Sequence, residues 1–226
     1  MSSLRKYSLA AGLLYLLTFV SIPTLALYRS VRGPSFVAGP GPDAPVIVGA
    51  LLEMIVALAG IGTAVALYPV LKRQGEARAV GFVASRVLEA ATIYVGIVSV
   101  MSIMTLRRAG GGTAALLAGQ SLAAQYQWTF LFGQSFIPAV NGVLLGSLLY
   151  QSRLVPRWLP VLGFIGSALL VASWFVILLG FVGAVSPAAA LLAVPIAAWE
   201  FSLGVYLTFW GFKASPITAG PTQPRQ

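Results

Sequence analysis

Long apolar runs separated by short polar breaks organise this chain. A bilayer core about 30 Å thick needs roughly 20 apolar residues per helix. Runs of that kind fall at about 8–28, 46–71, 79–106, 128–151, 159–182 and 188–212. Alternation with period two is absent, which argues against a β-barrel. The pattern predicts an all-α fold, a six-helix transmembrane bundle. It forms a single transmembrane domain over 1–212, followed by a disordered Pro/Thr/Gly-rich tail over 213–226. The first run follows Leu4-Arg5-Lys6, as a signal peptide would, but it is long and no small-x-small cleavage site follows. It is expected to be a retained helix.

The breaks give direction. With the N-terminus inside, Arg5, Lys6, Lys72, Arg73, Arg78, Arg153, Arg157, Lys213 and Arg225 lie inside; Arg29, Arg32, Arg107 and Arg108 lie outside. The positive-inside rule then places both termini in the cytoplasm. Tyr28, Tyr126 and Trp128 are expected at the outer interface, and Tyr7, Tyr150 and Trp158 at the inner one. Residues 29–45 are rich in Gly and Pro and read as an irregular external loop. Within 107–127 an Ala/Leu/Gln stretch follows Gly110-Gly111-Gly112 and reads as a short helix lying on the surface.

Composition agrees and narrows the chemistry. Hydrophobic residues make up 58% of the chain and charged residues 8%, with a mean hydropathy of +0.91. The net charge of +9 is spread over loop clusters and serves topology, so no nucleic-acid partner is expected. There is no Cys and no His. That removes disulfides, thiolate nucleophiles, the usual zinc sites and every dyad that needs an imidazole. Asp43 is the only Asp, so an Asp-rich magnesium–diphosphate motif is excluded. No metal and no cofactor are expected.

What remains is a short set of ionisable groups inside the runs: Glu53, Arg86, Glu89 and Glu200. Each costs about 2.5–3.5 kcal/mol at a helix centre, so each must face the bundle interior and find a partner. Glu53 shares a face with Gly49, Ala57, Gly60 and Ala64, small residues that let helices approach closely. Arg86 and Glu89 are neighbours on one face with Phe82, Ile93 and Ile97. Gln127, Gln134 and Asn141 recur every seventh residue as an inward polar stripe. By depth, Arg86, Glu89, Glu200 and Asn141 form one cluster, with Glu53 and Gln134 extending it outward. One guanidinium cannot neutralise three carboxylates, so at least one Glu is expected to be a neutral acid, which is a proton donor. Pro23, Pro138 and Pro195 interrupt their runs and free the carbonyls of Phe19, Gln134 and Leu191.

Several of these segments carry a resemblance. Gly49-Ala-Leu-Leu-Glu53, Ser85-Arg86-Val-Leu-Glu89-Ala90, Trp128-Thr-Phe, Asn141 with Leu154-Val-Pro-Arg157-Trp158, and Trp199-Glu200 resemble the domain-of-unknown-function 4386 family. The likeness runs from the first helix to Phe212. It implies a small bacterial membrane protein with six helices, in the plasma (inner) membrane, and little about activity.

Three functions follow from the residues. The first is an intramembrane enzyme that uses a protonated Glu as general acid on a lipid-soluble, isoprenoid-like substrate, as in a metal-independent terpene cyclase or isomerase. Glu53, Arg86, Glu89 and Glu200 are then the catalytic candidates, and Gln134, Asn141, Trp128, Trp174 and Trp199 the substrate-binding ones. The second is a small proton-coupled transporter, for which a homodimer is compatible with six helices. The third is a non-catalytic protein whose polar cluster only fixes helix register. A cavity lined by the acids and tryptophans and open sideways to lipid favours the first. A water-filled path to both sides favours the second, and pairing without a cavity the third.

Overall fold

The computed structural model describes residues 2–33, 35–110 and 112–218. Helices are its only regular elements among these residues. They are α1 (Ser3–Leu17), α2 (Thr24–Leu27), α3 (Ala44–Leu71), α4 (Glu76–Arg108), α5 (Thr113–Leu131), α6 (Ile137–Ser152), α7 (Trp158–Leu178) and α8 (Pro187–Phe209). A 3-10 turn, Thr18–Ser21, links α1 to α2, and a π-helical turn, Phe132–Phe136, links α5 to α6. Six helical stretches are long and apolar enough to cross a membrane: Ser3–Leu27, α3, α4, Thr113–Ser152, α7 and α8. The protein is therefore a polytopic membrane protein.

These spans close into a ring in chain order. α1 packs on α3, α3 on α4, α4 on α6, α6 on α7, α7 on α8, and α8 back on α1. The closure is held at one end by Arg5, whose guanidinium donates to the Leu207 and Thr208 carbonyls at 3.1 and 2.6 Å. Ser8 Oγ donates to the Leu207 carbonyl at 2.7 Å, so two otherwise unpaired carbonyls near the C-terminus of α8 are satisfied by α1. Both ends of the helical domain thus lie on one face, here the terminal face. Its half of the ring is filled by close-packed side chains, among them Tyr15, Leu67, Phe82, Leu145, Leu149 and Leu203.

The faces read from the sequence are the buried ones. Gly49, Glu53, Ala57, Gly60 and Ala64 are all buried on α3, and Phe82, Arg86, Glu89, Ile93 and Ile97 on α4. Two elements differ from expectation. The first span is not one helix: Pro23 has no N–H to continue the ladder, and the chain breaks over Thr18–Pro23 before resuming as α2. α2 packs on α3, whereas the packing of this span against α8 is carried by α1.

The second difference concerns 113–127. This stretch does not lie flat on a surface. It is the front of a continuous helical span that runs to Ser152. The reason is burial: Leu116, Leu122, Ala123 and Tyr126 pack against Val37, Val100 and Ile103. α4 has 33 residues and is about 50 Å long at 1.5 Å per residue, so it and α5 outrun the hydrocarbon core on the far face. Between them they grip the 28–43 segment as a strap. Arg107 and Arg108 both pair with Asp43, Arg108 Nε at 2.9 Å. Arg107 also donates to the Pro40 and Gly41 carbonyls and lies over the Phe36 ring.

The expected disordered tail is held over its first part. Lys213 N donates to the Leu154 carbonyl at 2.8 Å, and Ser215 is buried against Ser152. Residues 219–226 of that expectation lie outside the described residues.

Candidate functional site

The ring has a centre, and the ionisable groups meet there. Arg86 projects from α4 and is 3% exposed. Its Nη1 donates to Glu89 Oε2 at 2.9 Å, one turn along the same helix. Its Nη2 reaches across the ring to Glu200 Oε1 on α8 at 3.0 Å and to Tyr15 Oη on α1 at 3.2 Å. The guanidinium also sits over the Tyr15 and Phe82 rings, 5.4 and 5.7 Å from their centroids. Such faces favour a cation. Asn141, fully buried on α6, donates through Nδ2 to Glu89 Oε2 at 2.7 Å. Three helices and the first span are thereby tied to one guanidinium.

Pro138 explains how α6 supplies Asn141. Without an N–H it cannot bond the Gln134 carbonyl, and the chain opens into the π-helical turn just before it. The wider turn shifts the register, so Gln127 is exposed, Gln134 half-buried and Asn141 buried. The expected stripe therefore does not run unbroken.

Glu53 belongs to a second node, nearer the far face. Tyr126 Oη and Gln134 Nε2 donate to its Oε1 at 3.1 and 3.4 Å, and Tyr28 Oη to its Oε2 at 3.3 Å. No cation pairs with it among the described residues. The two tyrosine rings meet edge to face at 5.4 Å. The Tyr28 ring lies against Gly49, where any Cβ would collide with it. Tyr28 and Tyr126 are thus buried ligands of Glu53 and not the interface anchors that sequence suggested. Tyr15 is a further partner that sequence reasoning missed. Its only signal was a polar tip in an otherwise apolar run.

A cavity of about 220 Å³ opens beside the first node. All six spans line it: Phe19 and Ile22 at the break, Val56, Arg86 with Glu89, Gln134 with Pro138, Leu170, and Ala193 to Glu200 on α8. Its rim lies between the break in the first span and α8, where Ile22 is 63% exposed. Two buried polar atoms of the cluster, Arg86 Nε and Asn141 Oδ1, have no partner among the described residues. Toward the terminal face the cavity ends on the packed core. The tryptophans stand apart from it. Trp199 is wholly buried against Gly163, Trp174 meets Phe132 and Phe175 edge to face and Phe136 at a tilt, and Trp128 is half-exposed against Phe132. The described residues contain no group of His, Cys, Asp or Glu arranged to hold a metal ion.

A family model described as "Domain of unknown function (DUF4386)" matches the chain over residues 10–211, a range that includes all the residues brought together here. The protein belongs to this family. In this DUF4386 protein the match spans every element that lines the central cavity. No curated protein and no solved structure matches the chain.

Proposed function

We propose that this protein is an intramembrane enzyme that donates a proton from Glu200 to a lipid-soluble substrate held in the central cavity. One observation carries the reading: a cavity with a membrane-facing rim ends blindly on a guanidinium shared by two carboxylates. If both carboxylates ionise, the group carries net charge −1 with no counterion nearby. One bound proton makes it neutral, which is the state a hydrocarbon interior favours. Glu89 receives both Arg86 and Asn141, so its Oε2 is held in place within the cluster. Glu200 has Arg86 on one oxygen only, a side chain 18% exposed and a place in the cavity wall, so it is the carboxyl positioned to meet a substrate. Arg86 and Asn141 position the pair, and Gln134 in the cavity wall orients the substrate.

The reaction class is narrowed by what faces the cavity. A guanidinium lines it and Trp174 and Trp199 do not, so a long-lived carbocation gains little from the walls. That supports isomerisation over a cyclisation cascade: Glu200 gives its proton to one alkene carbon, the other alkene carbon becomes cationic, and a C–H bond on the next carbon along breaks to return a proton to the carboxylate, so the double bond moves one position and atoms balance without a co-reactant. Isoprenoid-like alkenes fit this chemistry, in the plasma membrane with both termini cytoplasmic.

The test compares lipid extracts, by mass spectrometry, from cells overproducing the wild type, E200Q and E89Q. A lipid-soluble product present with the wild type and absent with both variants, at equal protein level in the membrane, is expected. Identical extracts from all of them would sink the proposal. The broken first span favours a second reading, a proton-coupled carrier. It predicts pH-gradient-driven uptake into proteoliposomes with no chemical change in the solute.

A further inference from the structure

The central cavity is the innermost of a series. A cavity of about 310 Å³ shares Gln134, Leu170 and Ala193 with it and is walled mainly by apolar side chains such as Leu25, Phe130 and Ile177. That cavity shares Ala184, Val185 and Ser186 with a third, of about 470 Å³, at the far face. Arg29 and Arg32 line this outermost one.

The charges at this mouth are unusual in two ways. By the sequence count, arginines on this face run against the positive-inside rule, so topology does not explain them. Of the four on this face, Arg107 and Arg108 are taken up by Asp43. Arg29 and Arg32 have no acidic partner among the described residues; Arg32 is steadied by the Tyr28 and Leu25 carbonyls at 3.2 and 2.8 Å. A fixed guanidinium beside a second, exposed one is a geometry that suits a phosphate. At the inner end, the unpartnered Nε of buried Arg86 also marks a site left incomplete by the protein alone.

We infer that the ligand is an amphiphile with a phosphate head, the head held by Arg29 and Arg32 and the apolar tail threading the middle cavity to end beside Glu200. The inference rests on the reading of Glu200 as the reacting end and names the substrate class. From Ser186 to Glu200 the path along α8 is about 20 Å, the reach of an extended long-chain tail. The side gap between α2 and α8 lets the tail enter from the membrane while the head stays at the interface.

Binding is read on the full chain by native mass spectrometry from maltoside micelles, with hexadecyl phosphate, hexadecanol and inorganic phosphate as probes. The R29Q/R32Q double variant is expected to lose at least tenfold in affinity for hexadecyl phosphate and to bind hexadecanol like the wild type, which also reports an intact fold. R29K/R32K restores binding to within threefold. No loss in the glutamine variant, an equal loss for hexadecanol, failure of the lysine variant to restore, or displacement of hexadecyl phosphate by an equal concentration of inorganic phosphate overturns the inference. E200Q separates the two readings, because it loses turnover while keeping hexadecyl phosphate bound. If extracts never differ but the arginine variants behave as stated, only the acid reading fails.

Discussion

At Arg86, one side chain satisfies groups on three spans that have no other cation within reach, and Asn141 joins a fourth to them through Glu89. Truncation leaves Glu89 and Glu200 side by side without it. R86A is expected to cost about 3–5 kcal/mol, the usual penalty for stranding a buried charge. The measurement is chemical unfolding in detergent, and a loss below about 1 kcal/mol would show the triad to be energetically idle. R86K should fall between, since a lysine cannot present a fork to Glu89, Glu200 and Tyr15 together. Glu53 is a different case because it faces only neutral donors. E53Q keeps an oxygen for the tyrosine hydroxyls and should cost about 1 kcal/mol. E53A strands Tyr28 and Tyr126 and should cost about 1–3 kcal/mol for each.

At the scale of the element, two local devices hold the far face. The first is Gly49, which lets the Tyr28 ring lie against α3. G49A should push Tyr28 off Glu53 and lower the melting temperature, whereas A50G, at a buried but ordinary helical position, should cost only the usual glycine penalty of about 1 kcal/mol. Equal melting temperatures for G49A and the wild type would remove the argument. The second device is the strap clasp. The hydrogen bonds from Arg108 and then Arg107 hold the Asp43 carboxyl below the usual carboxylate range. A lowered folded-state pKa contributes stability that is present above the ordinary value and is lost as pH falls through the folded one. Proteolysis within 28–43 should therefore rise below about pH 4 and return on neutralisation, and D43N should be cut at every pH without that step.

The same scale shows what was legible beforehand. Faces carried by spacing, such as Gly49–Ala64 and Phe82–Ile97, were readable because helical period fixes them regardless of neighbours. So was the meeting of Arg86, Glu89, Glu200 and Asn141, because a charge in hydrocarbon has few places to go. The partners of Glu53 were not. Tyr28 and Tyr126 fall where interface tyrosines also fall, and only the strap folding back over α3 and α5 buries them. The Ala/Leu/Gln stretch before Trp128 was ambiguous for a related reason. Its apolar face can meet lipid or protein, and only Val37 and Ile103, distant in sequence, decide which.

For the whole molecule, the ring order puts the ends of the helical domain on one face and the strap on the other. The chain has no Cys, so a single introduced thiol is a clean reporter of sidedness. K213C and R29C should label with a membrane-impermeant maleimide from opposite sides, K213C only after the cells are opened. Labelling of both from one side would refute the ring.

The closure of the ring by α8 also sets a timetable. Glu200 and the carbonyls that receive Arg5 lie on α8, which leaves the ribosome after the other five described spans. Until then Arg86 has Glu89 as its only carboxylate partner, Tyr15 waits at an open seam, and the central cavity lacks a wall. Assembly of the site therefore waits for α8. A chain interrupted before α8 leaves the Arg86–Glu89 pair facing an unfilled wall within the bilayer, with one arm of the guanidinium short of its carboxylate.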